Sequence, residues 1–187
     1  MNTPFNFHLT QFSNEAEILR YEVREFLSDA LKDISKETRA ETWYGADEEF
    51  SKKVGKKGWI GLNWPKEYGG AGRSAMERYV ILEEMLTAGA PVGAHWISDR
   101  QSGPLIIRYG TEKHQKELLP GILKGESYFC IGMSEPDSGS DLAALRTKAE
   151  KKDNIYIVNG TKLWTSGAHR CQYMIACFRT SQEEDRH

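Results

Sequence analysis

Apolar residues recur at helical spacing through the first two thirds of the chain. Leu19, Val23, Phe26, Leu27, Leu31 and Ile34 fall on one face of a helix. Asn14 with Glu17 three residues later has the form of a capping box that would open it. A second, shorter helix is predicted around Phe50 and Val54. Residues 59–72 contain Pro65, Gly69, Gly70 and Gly72 and read as turns. Ser74 and Glu77 form another capping box, opening a helix to about Leu86. A further helix is predicted over 96–109, stopped by Gly110. Thr111 can cap the next, which carries Leu118 and Leu119 before Pro120.

Near Tyr128 the period changes. Residues 128–134 form a compact apolar run of strand character, and 144–150 could form an exposed strand. The runs 154–158 and 161–165 flank Asn159-Gly160, a pair suited to the positive φ angles of a tight hairpin turn. Residues 173–178 read as a last strand. Helices first and strands afterwards predict an α+β chain. The expected division is a helical domain over 1–125 and a small antiparallel β-domain over 126–187, meeting near Glu126.

Composition narrows the function. Apolar residues make up 39% of the 187, enough for a core. A net charge of -2 gives no field to attract nucleic acid or an anionic membrane. The basic run Lys52-Lys53-Val54-Gly55-Lys56-Lys57 reads as a solvated helix end, with a phosphate contact as the alternative. Cys130, Cys171 and Cys177 are odd in number and include no CxxC pair, against a disulfide framework or a zinc site. No metal site is expected, and the five histidines are scattered without ligand spacing. Residues 1–10 lack the basic and apolar regions of a secretory leader, and no run is long enough to span a membrane. A cytoplasmic protein is the expectation.

Two blocks could carry chemistry. Ser134-Glu135-Pro136-Asp137-Ser138-Gly139-Ser140-Asp141 leaves a strand and is dense in hydroxyls. Pro136 restricts its entry and Gly139 permits an unusual dihedral, so it reads either as a capped turn or as a cradle for a phosphate or polar ring edge. In Lys162-Leu163-Trp164-Thr165-Ser166-Gly167, Trp164 reads as a core aromatic or as a platform for a conjugated ring, and Ser166 can meet a ring nitrogen. Gly69-Gly70-Ala71-Gly72 lacks the lysine and hydroxyl of a phosphate loop and reads as a tight turn.

Taken together, these segments resemble the acyl-CoA dehydrogenase family. The first block is similar to its SEP-x-x-GSD signature, and Asn159-Gly160-Thr161-Lys162-Leu163-Trp164-Thr165-Ser166 to its NG-x-K-x-W-x-[ST] signature. Trp64-Pro65-Lys66-Glu67-Tyr68-Gly69-Gly70 resembles the family's turn after the early helices. Gly110-Thr111 through Gln115, then Leu119-Pro120 and Gly125-Glu126, resembles its G-T-x-x-x-Q…LP…GE stretch.

The resemblance implies FAD as cofactor and α,β-dehydrogenation of an acyl-CoA thioester. It places Ile131, Met133 and Ser134 along the flavin, and Ser140 near both the pyrophosphate and the substrate. Trp164 would cover the ring, with Thr165 beside it and Ser166 near N5. The family more often has threonine at positions 134 and 166, and small residues where Asp137-Ser138 stands; serine keeps the hydroxyl. It also implies a C-terminal helical bundle carrying the catalytic base, with no counterpart before His187. The expectation is therefore a truncated or fragmentary chain with no catalytic residue of its own, and Glu135 as a structural carboxylate. An electron-transfer flavoprotein and a homo- or hetero-oligomeric assembly are the implied partners. An acyl-CoA oxidase or flavin monooxygenase would share the scaffold. A non-catalytic chain binding a partner is the reading from a different class.

Overall fold

A computed structural model describes residues 11–181. The leader reading of residues 1–10, and His8 and His187, lie outside the described residues.

The first helix, α1 (Asn14–Ala30), starts one residue earlier than the Asn14 box implies: Ser13 is the cap, and its hydroxyl accepts from the Ala16 N–H. Its apolar period buries Ala16, Leu19, Val23, Leu27 and Ala30. That face packs on α4 (Ala75–Thr87). There the Ser74–Glu77 capping box forms as read, and Val80, Ile81 and Met85 are buried. Each such side chain contributes about 1.5–3 kcal/mol by leaving water. Glu84 is buried in the same seam, accepting from Arg20 at 2.6 Å and from Arg24 at 2.7 Å. Pairing is what lets a carboxylate stand inside a helix contact.

Between them lie α2 (Lys36–Ala40) and α3 (Glu48–Lys56), the latter capped by Asp47 and burying Phe50 and Val54. At its basic end Lys52 pairs with Glu49, and Lys57 lies over the Phe26 and Trp59 rings. Residues 59–72 form the expected turns, but they also carry the core residues Trp59, Ile60, Leu62 and Trp64. Gly70 is required there because a Cβ would overlap the Trp64 backbone. The helix expected over 96–109 forms, with a π-helical turn at Ser98–Ser102 that runs directly into α5 (Gly103–Tyr109), which Gly110 ends. Thr111 caps α6 (Glu112–Leu123), which continues through Pro120 for one more turn.

The helices-then-strands order holds, with strand β1 (Phe129–Gly132) following α6. Two details of the strand reading are corrected. First, the strands are not all antiparallel: β1 pairs in parallel with β4 (Tyr173–Ala176), from Phe129 opposite Tyr173 to Gly132 opposite Ala176. The long connection between these strands lets the chain return in the same direction. Second, the hairpin is β2 (Lys148–Lys152) with β3 (Ile155–Asn159), and it turns at Asp153, where φ is 52°. Asn159-Gly160 instead ends the ladder. Gly160 has φ 152° and passes so close to Thr147 that a Cβ would overlap it. The segment 161–165 therefore leaves as irregular chain toward Ser134, with no strand.

Candidate functional site

Ser98 joins the helical half to the strands. Its hydroxyl accepts from the Phe129 N–H at 3.0 Å and donates to the Ser127 carbonyl at 3.1 Å. The π-helical turn is thereby laid against β1, with Ile97 and Gln101 on the same wall as Ile131. Asp99, buried in this turn, accepts from the Gly61 N–H at 2.8 Å and from Arg78 at 2.6 Å. The turn is thus pinned on both sides.

The resulting cleft, of about 350 Å³, is lined by Trp43, Trp96, Ile97, Gln101, Ile131, Met133, Ser134, Leu163, Trp164 and Ser166. Of the residues singled out from sequence, Ile131, Met133, Ser134, Trp164 and Ser166 come together here. Ser140 is exposed and Thr165 half-buried, and neither is on the lining. Gly139 does not take the positive φ that its type permits; the turn closes instead through a Glu135–Ser138 backbone bridge and a Ser138 hydroxyl bond to the Asp141 carbonyl. Trp43, Trp96, Ile97 and Gln101 were not singled out. They come from positions distant in sequence, and no local motif marks them.

Trp164 is 86% exposed, which removes the core reading. Its φ of 57° is in the left-handed region, unusual for a bulky side chain. Leu163 donates to the Ser134 carbonyl at 2.8 Å just before it, and the Ser166 N–H reaches the Trp164 carbonyl at 2.9 Å just after. A flat apolar face held open to solvent beside a cleft suits a planar conjugated ring. Among the described residues, the Ser134 and Ser166 hydroxyls have no protein partner, so both can meet the polar edge of such a ring.

Behind this cleft is a second cavity of about 170 Å³, which shares Trp43, Trp96, Ile97 and Ser166 with it. Its other walls include Tyr44, Tyr128 and Phe129, with Arg170 at the Tyr44 face. Arg100 stacks on Trp96 at 4.6 Å from the ring centre.

Beneath the cleft, Glu135 is buried as a structural carboxylate. It accepts from Lys162 at 2.8 Å, from the Arg146 N–H at 2.6 Å and from the Thr147 N–H at 2.9 Å. Burial pushes its pKa up, but Lys162 and the backbone donors outweigh this and hold it at about 2. No group of three or more potential metal ligands occurs among the described residues, and no described helix is long and apolar enough to cross a membrane.

A helical half laid on a small β region, with this cleft against the first strand, is the architecture that two family profiles match. The profile described as acyl-CoA dehydrogenase, N-terminal domain, matches residues 13–126, and that of the middle domain matches 130–187. The chain belongs to the acyl-CoA dehydrogenase family. It is 37% identical over 177 residues to acyl-CoA dehydrogenase FadE26 of Mycobacterium tuberculosis, covering 92% of this chain and 44% of that protein. The crystal structure of the ChsE4-ChsE5 complex from the same organism matches with a TM-score of 0.82 at 37% identity, over 94% of this chain and 44% of that one. A glutaryl-CoA dehydrogenase from Mycobacterium smegmatis in complex with FADH2 matches with a TM-score of 0.68 at 28% identity, over 82% of this chain and 39% of that one. The chain thus spans less than half the length of these relatives.

Proposed function

We propose that the cleft under Trp164 holds the isoalloxazine ring of FAD, and that the chain forms part of an enzyme that dehydrogenates acyl-CoA thioesters. The observation that carries this is the 86% exposed, left-handed Trp164 beside two unengaged hydroxyls, in a chain of this family. When bound, FAD would supply the hydride acceptor. Trp164 covers one face of the ring and excludes water from it. Ile131 and Met133 offer apolar contact, and the Ser134 and Ser166 hydroxyls bond its polar edge. Thr165 supports Ser166 from within the same turn, and Ser140 lies on the outer loop toward the pyrophosphate and CoA. The acyl end of the substrate occupies the aromatic cavity behind Trp96.

Among the described residues, no carboxylate lines the cleft. We read the base that takes the α-proton as coming from polypeptide beyond this lining, and the assembly as a homo- or hetero-oligomer. Similarity to one chain of a two-protein complex supports that reading. Electrons would pass to an electron-transfer flavoprotein, in the cytoplasm.

The test is flavin binding by the purified chain, read as a perturbed visible spectrum on FAD addition. Trp164→Ala should weaken binding by about 1 kcal/mol or more through lost stacking. Because the side chain is exposed, unfolding free energy should change by no more than about 0.5 kcal/mol. Unchanged FAD affinity would reject the stacking role. Ser166→Ala should shift the flavin absorption bands, and an identical spectrum would remove that hydroxyl from the ring edge.

A further inference from the structure

We propose that the buried Glu135–Lys162 ion pair is a positioning device that sets where Ser134 and Trp164 stand on the cleft wall. This rests on the reading of the cleft as a flavin site. Each of the two ions is almost wholly enclosed, with side chains 6% and 7% exposed. Glu135 ties its own segment to two others, because its oxygens accept from the adjacent Arg146 and Thr147 N–H groups and from Lys162. The Lys162 ammonium is equally occupied. It donates to Glu135 at 2.8 Å and to the Met133 carbonyl at 3.0 Å, and it lies 5.9 Å from the centre of the Phe178 ring. The device is therefore wired to the residues on each side of Ser134, and it lies two residues before Trp164.

Two further observations say why such a device is needed. Trp164 has almost no packing of its own to hold a left-handed backbone, since its side chain is in solvent. Its conformation must come from the anchored chain beside it, Lys162 and then Leu163, whose N–H bonds the Ser134 carbonyl. In addition, a buried ion pair is a poor source of stability, because desolvation offsets its attraction and an apolar pair often serves as well. What the charged pair adds is direction: the adjacent Arg146 and Thr147 N–H groups and the Lys162 ammonium, from two separate segments, converge on one carboxylate. Rigid support of this kind determines whether a cofactor site is formed at the required geometry.

The experiment labels the five tryptophans with 5-fluorotryptophan and follows their fluorine resonances, with Trp164→Phe giving the assignment. The same samples are titrated with FAD. In the double variant Glu135→Gln/Lys162→Met the charges go together, so no ion is left buried alone. The fold should survive, with the Trp59 and Trp64 resonances in place. The Trp164 resonance should shift or broaden, and FAD affinity should fall roughly tenfold or more. An unmoved Trp164 resonance in the folded double variant would overturn the proposal.

If the double variant does not fold, Lys162→Arg decides. It keeps the cation but replaces one shared nitrogen by a planar fork. The proposal expects a displaced Trp164 resonance and weaker FAD binding. An unchanged resonance would mean that the single Lys162 nitrogen shared by Glu135 and the Met133 carbonyl does not set where Trp164 stands, and it would overturn the positioning role. Should the unaltered chain bind no FAD, a flavin site complete within this chain is ruled out, while the fluorine spectra still decide whether the pair positions Trp164.

Discussion

Asp99→Ala is expected to destabilise the chain by about 3–5 kcal/mol, the range for removing one partner of a buried ion pair. Asp99 has a side chain 8% exposed, and that of its partner Arg78 is 19% exposed. The substitution leaves Arg78 without its carboxylate and the Gly61 N–H without its acceptor. The cavity it opens adds to the loss. Asp99→Asn keeps an acceptor for Gly61 and removes only the charge, so a smaller loss is expected. Urea denaturation of both variants against the parent gives the two values. A loss below about 1 kcal/mol for Asp99→Ala would show that Arg78 finds water, placing the pair with surface bridges. The effect should extend to the site, because Asp99 pins the π-helical turn that carries Gln101 and follows Ile97 on the cleft wall. FAD affinity measured well below the denaturation midpoint should therefore fall even in the folded fraction.

The features that were legible in sequence are the ones set by near neighbours. Ser74 with Glu77, and Thr111 ahead of α6, are caps made within one helical turn, and both form as read. The Leu19, Val23 and Leu27 stripe lies on a single face for the same reason. What failed depends on residues far apart. Asn159-Gly160 has the local chemistry of a hairpin turn, yet contact with Thr147 claims Gly160 and the turn forms at Asp153. Parallel pairing of β1 with β4 follows from where the chain returns, which no local pattern records. The cleft divides in the same way. Ile131, Met133, Ser134, Trp164 and Ser166 lie in two short motifs and could be singled out. Trp96 and Gln101 reach the cleft because Ser98 and Asp99 lay the π-helical turn against the strands, and Trp43 comes from a separate turn, its ring centre 6.5 Å from that of Trp96. Trp164 is the instructive residue. Composition favours a core aromatic, and only the family motif points to an exposed platform, a local conflict of the kind that functional sites carry.

His95 gives the chain a pH dependence separate from its carboxylates. The ring is buried, 5% exposed, and its Nδ1 lies 2.8 Å from the Ser51 hydroxyl. That hydroxyl has one hydrogen and also lies 3.0 Å from the Asp47 carbonyl, which can accept it. With that hydrogen on the carbonyl, Nδ1–H is the donor to Ser51, and either tautomer lets the neutral ring keep the contact. Burial lowers its pKa from 6.5 to about 4, against an opposing pull from Asp99. Between these values the unfolded chain binds a proton that the folded chain does not, so stability rises with pH across the window. Lowering the pH from above 6.5 to about 4 should remove about 3 kcal/mol through this one residue. Glu135, held at about 2, adds its own loss only once the pH falls below its unfolded value of 4.5. The interval from pH 6.5 to 4.5 therefore isolates the histidine. His95→Asn keeps a donor for Ser51 and cannot titrate. It should be less stable at neutral pH, because the smaller side chain leaves a void, but its unfolding free energy should be nearly flat over that interval. A slope equal to that of the parent would mean that the ring gains a proton without unfolding, and that the Ser51 contact admits the cation.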